Sequence, residues 1–371
     1  MINTKNFYDF LVSRGFDFFT GVPDSFLANL CACIENNCNK KNHIIAANEG
    51  NAIAIASGYH VATSKIAVVY MQNSGIGNSM NPLLSLSHES VYKIPMLLLI
   101  SWRGEIGTAD ELQHQKQGEI TESLLKSLDI EYDILNENYE KQIEDYINDM
   151  SKTGMSKALI IKKDTFSPYN NMVAPNPYKL NRESVLEIII NSLSENDFIV
   201  STTGKSSREI FEIRNKNLQT HSHDFLTVGS MGHAASLAFG MSINSQKNIF
   251  CVDGDGAFLM HLGGFRAIAQ NARNNYKYIL INNGAHESAG GQATVAFNIA
   301  IDKILEAFGF KNVYIANTEN EVKEGIEKLK ESKILSALII NVEASSRKNL
   351  GRPTSNPLDN KIEFERELRK I

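Results

Sequence analysis

The chain has 371 residues, 43% of them hydrophobic, more apolar material than one core uses, so two domains of roughly 150–200 residues are expected. A formal net charge of −5, with no basic tail or Lys/Arg stripe, argues against a nucleic-acid partner. No apolar run reaches the roughly 18 residues of a membrane span, "MINTKNFYDFLVSRG" lacks a signal-peptide core, and four cysteines suit free thiols in a reducing cytoplasm.

Along the first half, the short apolar runs "FDFFTGV", "HIIAA", "KIAVVYM", "MLLLISW" and "KALIIKK" each end in polar or glycine residues. Stretches with helical character, such as "DSFLANLCACIEN" and "NAIAIASGYHVATS", lie between them. This alternation predicts an α/β fold, a doubly wound parallel sheet covered by helices on both faces. In "GVPDS" a glycine and a proline shape a turn that presents Asp24 and Ser25. Cys31, Cys33 and Cys38 cluster, but no fourth soft ligand stands at zinc spacing and two fall in an expected helix, so buried or idle thiols are expected. Glu49 precedes an Ala/Gly-rich helix, where by itself it reads as an acid favoured by the helix dipole. "WRGEIGTADELQH" then brings Arg103 and His114; the histidine reads equally as a proton donor or a surface residue.

The first domain is assigned to residues 1–165. "DTFSPYNNMVAPNPYKL" holds three of the eight prolines and little periodicity, which makes 166–180 an interdomain linker. From 181 to 371 the alternation restarts with "DFIVSTT", "DFLTVGS", "KNIFCVDGD", "KYILINN", "NVYIANT" and "SALIINVE". The two halves share little sequence, yet their architecture reads as duplicated. Lys205 and Arg208 in "TTGKSSRE", with Arg103 and Arg352, sit in loop-like motifs. Each alone reads as a solvated surface charge. The hydroxyls, glycine and cations that follow a strand end in "TTGKSSRE" also suit an anion nest.

"VDGDGAF" ends one strand on a carboxylate, and "INNGAHES" ends the next on two amides. The helical stretch between them makes one βαβ crossover, whose two strand ends can lie close together. Asp255 offers an anionic oxygen, Asn283 an amide oxygen, and the turn after it a main-chain carbonyl. Three oxygen ligands with open positions suit Mg²⁺ shared with phosphates. Gly254 and Gly256 allow close backbone approach, and a helix starting near Ala257 aims free N–H groups at an anion. Either turn alone could merely link elements; paired across one crossover they favour a magnesium-held diphosphate.

"GDG", 25 residues, then "NN" resembles the signature of the thiamine-diphosphate-dependent decarboxylase superfamily. The resemblance implies a pyrimidine-binding first domain and a diphosphate-binding second domain. It assigns the metal ligands to Asp255, Asn283 and the carbonyl of Ala285, and the cofactor cradle to Gly254, Gly256 and Ala257. In "VGSMGHAASLAFG" it implies that Gly229 lines the cofactor and that Met231 props it into a bent shape. In "NEGNAIAIASGYHVAT" it makes Glu49 the carboxyl that hydrogen-bonds the pyrimidine N1′. A partly buried carboxyl there would favour its protonated form. It further implies at least a homodimer, with Glu49 and Asp255 serving one cofactor from different subunits.

Most relatives carry a central domain, whereas this chain has only a short linker. "GVPDS", "YMQNSGIGNSMNPLLSL", "WRGE" and "TTGKSSRE" resemble the compact phosphonopyruvate decarboxylase subgroup almost end to end. Ile106 and Leu112 depart from it, standing where that subgroup usually has prolines, which leaves the fine substrate preference open. The implied reaction is decarboxylation of phosphonopyruvate to phosphonoacetaldehyde within phosphonate biosynthesis. Arg103, Lys205 and Arg208 are then candidate substrate donors, and Asp24, Ser25 or His114 the proton donor, unranked. One alternative is a neighbouring 2-oxo acid such as sulfopyruvate. Another is a nucleotide-binding or non-catalytic partner subunit; against it, neither a Gly-x-Gly-x-x-Gly fingerprint nor a Walker loop occurs.

Overall fold

The computed structural model describes residues 1–170 and 176–370. The centre of the expected linker, 171–175, lies outside the described residues. The chain divides into two compact units, Met1–Val173 with Ser288–Gln292, and Ala174–Glu287 with Ala293–Ile371.

The first unit holds six parallel strands: β1 (Phe19–Gly21), β2 (His43–Ile45), β3 (Ala67–Gln72), β4 (Met96–Ser101), β5 (Glu131–Ile134) and β6 (Lys157–Ile161). Their order is β2-β1-β3-β4-β6-β5. The unbroken apolar runs of the central strands have a direct cause, since alternate side chains feed two separate cores. Val68, Tyr70, Leu97, Leu99, Leu159 and Ile161 enter one. Val69, Met71, Leu98, Ile100, Ala158 and Ile160 enter the other. Strand β5, "EYDI", escapes the sequence reading because it is an edge strand with three of its four residues exposed.

The second unit repeats the plan with β7 (Asp197–Ser201), β8 (Asp224–Leu226), β9 (Asn248–Gly254), β10 (Tyr276–Asn282), β11 (Asn312–Ala316) and β12 (Ser336–Asn341). Their order is β8-β7-β9-β10-β12-β11, all parallel. Counted from the first strand of each unit, both sheets read 2-1-3-4-6-5. The expected duplication of architecture is therefore literal at the level of topology. In each sheet the chain reverses direction of growth beside its first strand, which opens a crevice at the carboxyl ends.

Candidate active site

Asp24 leaves the carboxyl end of β1 at this reversal. It is 4% exposed and caps the short 3₁₀ turn Ser25–Leu27, accepting from the Phe26 N–H at 3.1 Å. Ser101 Oγ donates to it at 2.6 Å from the end of β4, and Gln72 Nε2 at 2.7 Å from the end of β3. Three neighbouring strand ends thus converge on one carboxylate. Arg103, two residues past β4, reaches the same place. Its guanidinium grips Asp110 with two bonds of 2.7 and 2.5 Å, stacks on Phe26, donates to Ser25 Oγ at 3.2 Å and lies 3.9 Å from Asp24. Burial pushes the Asp110 carboxyl up, but Arg103 and the N–H groups of Glu111 and Gly104 outweigh it and hold it well below the usual carboxylate range.

His114 lies on the helix Leu112–Ser127, and it is buried rather than on the surface. Burial first, then the Arg103 charge, pushes its imidazole below the usual range, so it is neutral at pH 7. Its Nδ1 is buried without a hydrogen-bond partner. A contact of two glycines seats this helix on the Arg103 loop. A Cβ at Gly118 would meet the Gly104 carbonyl oxygen at 1.8 Å, and Gly104 itself has φ +71°. Asn73 fastens the same loop, donating to the Arg103 carbonyl at 2.8 Å and to Thr121 Oγ1 at 2.9 Å. The structure thus gathers Asp24, Ser25, Arg103 and His114 from three separated segments. Asp110 and Asn73, which arrange them, went unnoticed in sequence; Asp110 lies inside the quoted "GTADELQH".

Glu49 opens the helix Glu49–Thr63, past the end of β2, and is buried. Asn48 caps that helix, accepting from the Asn51 N–H at 3.0 Å. The carboxyl accepts from Asn78 Nδ2 at 2.8 Å, and its stem lies on Gly75, where a Cβ would come within 2.5 Å of Glu49 Cγ.

In the second unit, Ile281 of β10 pairs with Gly254 of β9, so Asp255 and Asn282–Asn283 leave the sheet side by side. The helix starts at Asp255, two residues before the expected Ala257. Asp255 is 3% exposed, and burial pushes its carboxyl up to about 6, against bonds from the Thr294 hydroxyl and the backbone N–H of Asn283. A buried carboxylate whose charged form is disfavoured suits a cation beside it. Asn283 accepts from the Ala285 N–H at 3.0 Å and donates to Glu287 at 3.1 Å, which fixes its amide orientation. Gly256 forms a tight cradle: a Cβ there would lie 2.9 Å from His286 Nδ1 and 3.2 Å from Met231 Cε. Met231, sequence-distant from Asp255, therefore stands at the Gly254–Gly256 turn. Its neighbour Gly232 has φ +85°, two residues after Gly229–Ser230. The residues present fit a metal-held diphosphate. Among the described residues no group of three or more His, Cys, Asp or Glu is disposed to hold a metal, so any ion here relies on the amide and carbonyl oxygens.

Lys205 and Arg208 are on the first turn of the helix Lys205–Lys216, not in a loop, which corrects the loop-like reading. Gly204, before it, has φ +95°. Lys205 Nζ donates to Glu287 at 2.9 Å and to Ser346 Oγ at 2.7 Å. Glu287 also meets Arg182, which in turn grips Glu209 with two bonds of 2.7 Å. Burial would raise the Glu287 carboxyl, but Arg182 and Lys205 hold it below its usual range. Arg208 is half-buried and Arg352 exposed. Glu287 ties Asn283 to Lys205, a role that "NNGAHES" carried without announcing.

Residues 3–125 match the thiamine pyrophosphate enzyme N-terminal TPP binding domain, and residues 202–340 its C-terminal TPP binding domain. The chain is similar to a phosphonopyruvate decarboxylase of Streptomyces viridochromogenes, 26% identical over 97% of this chain and 93% of that one. It is also similar to a sulfopyruvate decarboxylase of Methanosarcina acetivorans, 25% identical over 88% of each. The sulfopyruvate decarboxylase subunit alpha of Methanocaldococcus jannaschii is 42% identical over 27% of this chain and 56% of its own length.

Proposed function

We propose that this chain, which belongs to the thiamine pyrophosphate enzymes and is a carboxy-lyase of the phosphonopyruvate or sulfopyruvate type, acts on 3-phosphonopyruvate, giving phosphonoacetaldehyde and CO₂. The observation that carries the reading is the convergence of Asp24, Ser25, Arg103 and His114 at the carboxyl ends of one sheet. The Nη1 edge of Arg103, beside the Ser25 hydroxyl, suits one anionic group of a small acid, while its other edge is held by Asp110. The whole-chain similarity to a phosphonopyruvate decarboxylase supports the same substrate.

In this reading Asp255, Asn283 and the Ala285 carbonyl would hold magnesium against the cofactor's diphosphate, Gly229, Gly254, Gly256 and Ala257 would line it, and Met231 would support it. Glu49 would present its carboxyl to the cofactor's pyrimidine ring. Thiamine diphosphate, when bound, supplies the electron sink for the pair released as CO₂ leaves. The protein does the rest. Arg103, Lys205 and Arg208 are the cationic donors for the substrate's acid groups. Lys205 reaches them only by sharing its ammonium with Glu287. One C–C bond breaks, and a proton must take the place of CO₂ on the same carbon. Asp24, Ser25 and His114 are the groups at hand to deliver it, His114 through its unpartnered Nδ1. The product belongs to phosphonate biosynthesis.

A second reading, sulfopyruvate, is favoured by similarity over 88% of the chain to a sulfopyruvate decarboxylase. A competition assay decides between them: pyruvate, sulfopyruvate and phosphonopyruvate are supplied together with Mg²⁺ and thiamine diphosphate, and the aldehydes formed are resolved. Phosphonoacetaldehyde should dominate. Preferential loss of sulfopyruvate or pyruvate overturns the substrate assignment.

A further inference from the structure

Ser288–Gln292 belongs to the first compact unit, although its chain neighbours on either side belong to the second. It packs there closely. A Cβ at Gly290, whose φ is +140°, would come 2.9 Å from both amide atoms of Gln292 and 3.1 Å from Ala28 Cβ. Ala28 begins the helix that directly follows the Ser25–Leu27 turn capped by Asp24. The Gln292 amide and Ala28 therefore flank Gly290, which sets the amide near the start of the helix that follows the Asp24–Ser25 turn. Gln292 is 1% exposed, and neither its Oε1 nor its Nε2 has a hydrogen-bond partner. A buried amide with both its donor and its acceptor unmet is costly to keep, and a ligand that supplies both partners removes that cost. His114 Nδ1, also buried and unpartnered, stands near the same turn.

An amide needs a ligand that both accepts and donates. A phosphonate near neutrality carries ionised oxygens and, in part, a P–OH; a sulfonate is fully ionised and only accepts. We propose that Gln292 is a specificity-determining residue that reads the substrate's distal acid group, Nε2 donating to an ionised oxygen and Oε1 accepting from P–OH. This rests on the substrate reading given above.

The test uses the full-length protein with Mg²⁺ and thiamine diphosphate. In Gln292→Met, a side chain of similar length loses both polar atoms. KM for phosphonopyruvate should rise on the order of tenfold to hundredfold, and less for sulfopyruvate, which uses only one of the two bonds. The substrate-free protein should melt about 2–4 °C higher, because an unmet buried amide has been removed. Should that variant fold poorly, Gln292→Glu keeps an acceptor but loses the donor, and must impair both acids. An unchanged KM ratio between the acids, or a lower melting point with equal losses on both, assigns Gln292 a structural role and overturns the proposal. So does weakened self-association in sedimentation with catalysis intact, since the amide partners would then lie on a second copy. A parent protein that turns over neither acid overturns the substrate reading instead.

Discussion

Asp253 and Asp255 lie two residues apart and meet opposite fates. Asp253 stays within β9, wholly buried, accepting from the Tyr278 hydroxyl at 3.2 Å and its neighbour's N–H at 3.0 Å. Asp255 has left the sheet and starts a helix beside Asn283. Burial pushes both carboxyls up to about 6, so the shift does not distinguish them; the position past the strand end does. Asp255→Ala should abolish magnesium-dependent binding of thiamine diphosphate, because a diphosphate met only by N–H donors lacks its neutralising cation. Equilibrium titration with and without Mg²⁺ reads this directly, and an affinity equal to that of the parent contradicts the ligand assignment. Lys205 shows the limit of residue-level reading. Its charge was visible in sequence, while its sharing with Glu287, 82 positions away, was not.

At the scale of elements, two contacts tie separate elements of the first unit together. Gly118 lets the helix Leu112–Ser127 touch the Arg103 loop, and the indole of Trp102 donates to the Gly118 carbonyl at 2.9 Å. Alanine in a helix usually gains about 1 kcal/mol over glycine. Here the added Cβ meets backbone oxygen, so Gly118→Ala should instead cost about 2–4 kcal/mol in urea unfolding. It should also shift the emission of Trp102, the only tryptophan. The second contact steadies edge strand β2, whose His43 Nε2 lies 2.8 Å from the Tyr70 hydroxyl of β3, with β1 between the two strands. Burial pushes the His43 imidazole down to about 4, against about 6.5 when unfolded. Between those values the unfolded chain binds more protons than the folded one. The contribution is therefore intact above pH 6.5 and is lost as pH falls toward 4, by at most about 3 kcal/mol. Urea midpoints at pH 7 and 4.5 should separate less in His43→Gln than in the parent.

For the molecule as a whole, two sheets of identical strand order have taken on different chemistry at equivalent ends. The first presents Asp24, Glu49 and Arg103; the second presents Asp255, Asn283 and Lys205. Family resemblance assigns Glu49 and Asp255 to one cofactor across a subunit boundary. Glu49→Gln and Asp255→Ala chains should each be inactive alone. Mixed after dissociation, they should recover activity, up to about a quarter of the parent's if chains pair at random and each dimer has two sites, since only hybrids hold an intact site. Sedimentation of the parent should give a dimer or larger species. A fully active monomer, or a mixture as inactive as its components, contradicts the arrangement.

The sequence by itself determined the α/β class, eleven of the twelve strands of the two large sheets, and the paired turns at Asp255 and Asn283. Those features are local: apolar runs bounded by glycine and polar residues, and motifs written in consecutive positions. The missing strand, β5, had an exposed edge in place of an apolar run. The tertiary structure alone decided which charges face one another. It brought Asp110 onto Arg103, buried His114, and placed Met231 against Gly256. It also set Glu287 between Lys205 and Asn283, and left the Gln292 amide without partners. Periodicity reports which face of an element is buried, but the partner of a polar side chain depends on strand order and on where each strand stops, and those are settled only when the sheet closes around its core.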